Sequence, residues 1–120
     1  MNYFFDSYAV IEILRNNRNY EKYNSFIIFT TSLNLTEIYY ALLNEIDEES
    51  ADILVTKLNF QFIEITPEIA VEAAKFRSKN KKLKLSYADC IGYMAAIKHD
   101  IKFLTGDSAF EKFNNVEFVK

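Results

Sequence analysis

Four acidic residues, Asp6, Glu37, Asp89 and Asp107, stand where the chain could do chemistry. Asp6 closes the run Asn-Tyr-Phe-Phe-Asp, Glu37 follows Asn34-Leu35-Thr36, Asp89 is wedged between Ala88 and Cys90, and Asp107 follows Thr105-Gly106. Each has an ordinary structural role open to it. Asp is a preferred helix N-cap, Asn34-x-x-Glu37 and Ser86-x-x-Asp89 have the spacing of capping boxes, and Asp after Gly is a common turn residue. As a set they are less ordinary. Asp6 follows two Phe and Asp89 lies on an apolar stretch, and a buried carboxylate is costly unless something positive meets it. The chain has only three Arg, Arg15, Arg18 and Arg77, none within the short segments that carry these acids. Converging carboxylates without a counter-charge repel, and at least one must take up a proton. A hard divalent cation, Mg²⁺ or Mn²⁺, resolves the conflict, because it takes oxygen ligands and keeps several waters. The chemistry it supports is activation of water and in-line displacement at phosphorus.

Other chemistries are excluded by composition. One Cys (Cys90) and one His (His99) allow neither an internal disulfide nor a structural zinc site, a usage that fits a reducing cytoplasm. The N-terminus lacks the basic region and long apolar run of a secretory signal. The uncharged stretch from Asn24 to Thr36 is too short and too polar to span a membrane. The expectation is a soluble, cytoplasmic protein without a membrane partner. Seventeen acidic against 14 basic residues give a net charge of -3, which disfavours nonspecific duplex binding but leaves room for a local basic patch. At 120 residues the chain has the length of a single domain, 1–120.

The elements that must position the acids alternate. Residues 2–6 read as a short buried strand, 7–16 as a helix, 16–24 as a further short helix, and 26–30 as a β-branched and aromatic strand. A helix is expected to open at Asn34 and another near Glu48. Residues 60–65 alternate apolar and polar like a strand with one covered face. Pro67 suits a first helical turn. From Ser86 to His99 the helix is apolar almost all round, which places it in the interior. Strands at 101–105 and 116–119, around a short turn at 108–113, complete an α/β pattern. Five strand–helix alternations imply a parallel sheet of about five strands with helices on both faces, a three-layer α/β/α sandwich. In such a sheet ligands bind beyond the carboxyl ends of the strands. Asp6, Glu37 and Asp107 follow strands there, whereas only helix packing can bring Asp89 to that edge.

These residues resemble a known family. Phe4-Phe5-Asp6-Ser7, Leu35-Thr36-Glu37-Ile38, Ser86-Tyr87-Ala88-Asp89-Cys90-Ile91 and Phe103-Leu104-Thr105-Gly106-Asp107-Ser108 resemble, in order and spacing, the acidic motifs of PIN-domain ribonucleases. Without an appended zinc ribbon or RNA-binding domain, the chain is most similar to the toxin of a VapBC-type toxin–antitoxin pair. The resemblance implies a Mg²⁺- or Mn²⁺-dependent endoribonuclease that cuts structured RNA, transfer or ribosomal, is inhibited by a cognate antitoxin, and forms a homodimer. It implies that Asp6, Glu37, Asp89 and Asp107 form the metal-binding and catalytic cluster, with Ser7 and Thr105 orienting their carboxylates. Many relatives carry Arg or Lys where Gly106 stands, so a phosphate contact is expected to be weaker here. A housekeeping RNA-processing nuclease and an inactive PIN-like binding module remain the alternatives. A phosphatase of the haloacid dehalogenase kind needs a second Asp where Tyr8 stands, and a response-regulator receiver needs paired acids where Asp6 stands alone.

Lys79, Lys81, Lys82 and Lys84 form the one dense basic run, read either as a solvated helix end complementing the dipole or as phosphate contacts beside the metal. Arg15 and Arg18 are a second candidate RNA contact. Tyr8, Tyr39 and Tyr40 are expected in the core or a dimer contact, His99 in a structural role, and Cys90 as an inert small hydrophobe.

Overall fold

The computed structural model describes residues 1–120. Its sheet comprises β1 (Tyr3–Phe5), β2 (Ile28–Thr30), β3 (Phe60–Phe62), β4 (Lys102–Thr105) and β5 (Val116–Phe118), in the order β3-β2-β1-β4-β5. All four pairings are parallel, with Phe4 opposite both Phe29 and Phe103. The five helices are α1 (Ser7–Leu14), α2 (Ser32–Leu43), α3 (Glu48–Thr56), α4 (Pro67–Lys79) and α5 (Tyr87–Lys98). The expected three-layer α/β sandwich is the one observed. Successive strand residues point to opposite faces, so Tyr3, Phe5 and Leu104 pack with Ala9, Val10, Ile38, Leu42 and Ala51 on one side. Phe4 and Phe103 pack with Ile69, Ala73, Tyr93 and Ala96 from α4 and α5 on the other.

The strand order reverses between β1 and β4: the chain builds outward through β2 and β3, then returns to the far side of β1. That reversal opens the crevice in which doubly wound sheets bind ligands. Asp6 and Thr105 lie at the carboxyl ends of the two strands that flank it.

Three local expectations need correction. Helix α2 opens at Ser32, capped by Thr31, whose hydroxyl accepts from the Asn34 amide at 3.2 Å. Asn34 is therefore inside the first turn, and Asn34-x-x-Glu37 is not a capping box. The strand expected over 60–65 pairs only through Phe62, because it is an edge strand; Phe62 remains 47% exposed and the chain leaves the sheet after Ile63. Helix α5 is interior only along its middle, since Tyr87 and Ile97 at its two ends are exposed. No helix is long and apolar enough to cross a membrane.

Candidate metal centre

The buried polar and charged side chains are Asp6, Ser7, Thr30, Thr31, Asn34 and Thr105. All six lie at the carboxyl ends of β1, β2 and β4 or in the helical turns that follow. Everywhere else the core is apolar, so polarity is concentrated at the switch point.

Asp6 is its centre. As N-cap of α1 it accepts the Ser7 amide on Oδ1 at 2.9 Å, and on Oδ2 it accepts the Thr105 hydroxyl at 2.7 Å across the β1/β4 crevice. The capping expectation thus holds for this residue. Burial pushes its carboxyl up to about 7, and the charges of Asp89 and Glu37 add to the rise, against the two hydrogen bonds. No cation offsets it: the three ion pairs of the chain, Arg15–Glu45, Lys75–Glu72 and Lys98–Glu68, are all exposed and lie elsewhere.

Asp89 reaches this edge by helix packing. Gly92, one turn further along α5, lets the helix lie against the sheet; a Cβ there would meet the Phe4 ring at 2.9 Å and the Phe103 ring at 3.2 Å. Residues three apart share a helix face, so the close approach at Gly92 carries Asp89 toward Asp6. Asp89 closes a capping box, accepting the Ser86 amide at 2.8 Å while its own amide donates to Ser86 Oγ at 3.0 Å. Burial raises its carboxyl, the Ser86 hydrogen bonds oppose the rise, and Asp107 adds to it.

Glu37 is held from the first turn of α1. The Ser7 hydroxyl donates to Glu37 Oε1 at 2.7 Å and accepts from Asn34 Nδ2 at 3.0 Å, while the Thr31 hydroxyl donates to Asn34 Oδ1 at 2.6 Å. Asp107 caps the turn Ser108–Phe110 by accepting the Ala109 amide at 3.0 Å, and its own amide donates to Thr105 Oγ1 at 3.1 Å. Thr105 therefore joins the Asp6 and Asp107 segments, and Ser7 joins the Asp6 and Glu37 segments. Asn34 and Thr31 are additions. The polar run Thr30-Thr31-Ser32 ahead of Asn34 offered other cap candidates, and the Asn34-x-x-Glu37 spacing masked them.

Asp6 lies within electrostatic reach of Asp89 and Glu37, and Asp89 of Asp107, but the expected four-acid cluster is not formed: no three acids come together as a group that could hold a metal ion. The donor set nevertheless fits a hard divalent ion. It is all oxygen, it lacks a protein cation, and one oxygen each of Glu37, Asp89 and Asp107 accepts no protein hydrogen bond. Mg²⁺ commonly uses one or two carboxylates and retains waters, so it needs no complete protein cage.

The remaining expectations divide. Gly106 carries no cation because the space is filled: a Cβ there would lie 2.3 Å from the Val119 carbonyl oxygen and from the Tyr8 ring. Arg15 is engaged by Glu45, and Arg18 lines a shallow polar concavity with Asn17, Glu21 and Asn24. Of the lysines, Lys81 and Lys84 line a cavity with Arg77 and Tyr87, whereas Lys79 sits in the last turn of α4 where it complements the dipole. Lys82 is exposed and does not line that cavity. Tyr39 bonds Asp52, but Tyr40 is 69% exposed and not a core residue. Cys90 is buried with its thiol pushed up to about 11, chiefly by burial, and is inert as expected. His99 is the exposed C-cap of α5.

The family model of the PIN domain matches residues 3–116. No curated protein matches the chain in sequence. Among solved structures it is similar to the Mycobacterium tuberculosis VapC20, described as a sarcin-ricin loop cleaving toxin, with a TM-score of 0.81, 14% identity, and 99% of this chain and 100% of that one covered. It is similar to a chain of VapBC2 from Rickettsia felis bound to a DNA fragment from their promoter, with a TM-score of 0.75, 16% identity and full coverage of both chains. A toxin–antitoxin complex from Klebsiella pneumoniae gives a TM-score of 0.71 at 18% identity, with 98% of this chain and 96% of that one covered. With its buried polar side chains concentrated at the switch point of a five-stranded parallel sheet and a family match over nearly its whole length, the chain belongs to the PIN domain family and has the fold of VapC-type toxins.

Proposed function

We propose that this chain is a Mg²⁺- or Mn²⁺-dependent endoribonuclease, the toxin of a type II toxin–antitoxin pair, acting on structured RNA such as transfer or ribosomal RNA. The observation that carries the proposal is Asp6: a buried carboxyl pushed to about 7, opposed by Asp89 and Glu37 and matched by no cation. A buried acid perturbed by desolvation and by specific charged partners in a cleft is a functional-site candidate.

Asp6 and Asp89 would hold the ion directly, with Glu37 and Asp107 acting through water. When bound, the ion supplies an activated water and charge stabilisation at phosphorus. The protein's own groups do the rest. Thr105 and the Ser7 amide fix the Asp6 carboxylate, Ser7 and Asn34 aim Glu37, and the Ser86 capping box aims Asp89. Hydrolysis adds water across a P–O bond, so the proton released by the water must be taken up nearby, and Glu37 is free to accept it on its unbonded oxygen.

The toxin assignment is supported by the VapC20 and VapBC neighbours, and an antitoxin as partner by the complexes among them. Exposed Tyr40 and Leu43 on α2 and Ile53 on α3 offer apolar surface for the antitoxin or for a second copy in a homodimer. The test is cleavage of transfer and ribosomal RNA by purified protein with Mg²⁺ or Mn²⁺. Cleavage that EDTA stops, and that falls more than about a hundredfold in Asp6→Asn and Asp89→Asn, supports the reading, since even residues that only orient a ligand typically contribute 10- to 100-fold. Cleavage that persists in EDTA overturns the metal-dependent assignment, and a wild type inert on every RNA overturns the nuclease.

A further inference from the structure

A cavity of about 440 Å³ opens where α4 ends, the 3₁₀ turn Lys81–Leu83 follows, and α5 begins. That volume is within the roughly 300–1,000 Å³ of small-ligand sites. Its charged lining residues are Arg77, Lys81 and Lys84, and no carboxylate lines it, in a chain whose net charge is -3. Arg77 is held in place rather than left to solvent. Its Nε donates to the Leu85 carbonyl at 2.8 Å, and its guanidinium lies 4.5 Å from the centroid of the Tyr87 ring. It forms no ion pair, so its charge is not neutralised by the protein. Tyr87 is the first residue of α5, two positions before Asp89, and is 66% exposed. An exposed tyrosine backed on one ring face by a guanidinium leaves its other face for a planar base, and the two unpaired lysines beside it suit an anionic phosphate, the two parts of a nucleotide.

We infer that this cavity is a nucleotide subsite for single-stranded RNA leading into the acidic centre, with one base stacked on Tyr87 and its flanking phosphate held by Lys81 and Lys84. The inference rests on the nuclease reading for its substrate, and names a contact that the acids themselves do not provide. It also explains the placement of the basic run. Lys81 and Lys84 stand just ahead of the helix that carries Asp89 but do not act on its carboxyl, so they can position the strand without neutralising the acids. An acidic polypeptide would satisfy the lysines but would have no planar base to set on Tyr87, which is why RNA is the occupant the lining favours.

The test is binding measured apart from cleavage. Fluorescein-labelled oligoadenylate of eight residues is titrated by anisotropy in EDTA, beside an abasic strand of the same length and a glutamate octapeptide. Tyr87→Ala should weaken oligoadenylate binding on the order of tenfold, leave abasic binding unchanged, and be rescued by Tyr87→Trp. The double variant Lys81→Ala/Lys84→Ala should weaken both strands and reduce the salt slope by roughly 1.4. Melting temperatures confirm that the exposed substitutions leave the fold intact. Oligoadenylate binding indifferent to Tyr87→Ala overturns the subsite, and so does a glutamate peptide bound as tightly as the RNA, which would make the cavity a protein-recognition site. A chain that cleaves RNA with KM unchanged in Tyr87→Ala loses the subsite but keeps the nuclease. One that binds oligoadenylate through Tyr87 yet cleaves nothing keeps the subsite and loses the nuclease.

Discussion

Two acids are tied into the sheet by side-chain hydroxyls, one at each flank of β4. Glu117 on β5 accepts the Tyr23 hydroxyl at 2.8 Å and the Tyr3 hydroxyl at 3.3 Å on the same oxygen. Asp6 on the β1 side accepts the Thr105 hydroxyl and the Ser7 amide. The donors are comparable and the surroundings are not. Around Glu117 stand neutral phenols, whose own pKa values are raised by burial first and then by the glutamate. Around Asp6 stand further carboxylates, which raise its energy instead of lowering it. A fold that needs an acid as an anchor surrounds it with donors. A fold that keeps like charges near one another at a crevice bears their repulsion, which is the cost the proposed cation would relieve.

The largest test of that contrast is the pH dependence of stability without metal. The Asp6 carboxyl is raised from 3.8 to about 7 in the folded state, so between those values the folded chain holds a proton that the unfolded chain has lost. Stability contributed by this proton is fully present below about pH 4 and is lost as pH rises through 7, the opposite of a salt-bridged carboxylate. At 1.36 kcal/mol per pH unit the effect is on the order of 4 kcal/mol. Urea titrations in EDTA from pH 4 to 8 should show the wild type weakening and Asp6→Asn weakening less, with only the raised Asp89 carboxyl left to contribute, so that Asp6→Asn is more stable than the wild type at pH 8. A wild type that strengthens across that window would mean that Asp6 has a cation after all.

Thr105 tests the contrast at one remove. Thr105→Val removes the donor to Asp6 Oδ2 and the acceptor of the Asp107 amide while preserving shape. Cleavage of RNA should fall 10- to 100-fold, and the acid limb of its pH profile should move up, because one of the bonds that holds the Asp6 carboxyl down is gone. Loss of activity with no shift in that limb would assign Thr105 to Asp107 alone.

Much of this was legible in the sequence, for physical reasons. Short aromatic strands bounded by polar residues, and helices with periodic apolar faces, are local patterns, so the alternation and the parallel sheet could be read from them. Asp6 and Asp107 could be placed because residues after parallel strands share one edge. Asp89 could not be placed by that rule, since its position depends on how closely α5 approaches Phe4, a tertiary fact carried by Gly92. Asn34 was hidden because a cap and an in-helix polar residue share the same spacing, and Thr31 decided between them. Tyr87 was hidden by apolar neighbours: composition alone does not say which end of a buried helix emerges. Gly92→Ala probes that tertiary link directly. Forcing α5 off the sheet should cost about 2 kcal/mol in chemical denaturation and shrink the pH slope of Asp6, because Asp89 moves away with the helix.

The smallest effect belongs to the other acid. Glu117→Ala leaves the hydroxyl of Tyr23, a residue only 1% exposed, without its acceptor, at a cost of about 1 kcal/mol. Glu117→Gln should recover most of this, since its amide carbonyl accepts the same bond. RNA cleavage should stay within about twofold in both variants, because no carboxylate of the crevice is bonded to Glu117 or to its tyrosines. Denaturant midpoints and initial cleavage rates on the same preparations separate the two quantities. If Glu117→Ala silenced cleavage as Asp6→Asn should, charge surroundings would not distinguish an anchoring acid from a working one in this fold, and the reading of Asp6 would lose its basis.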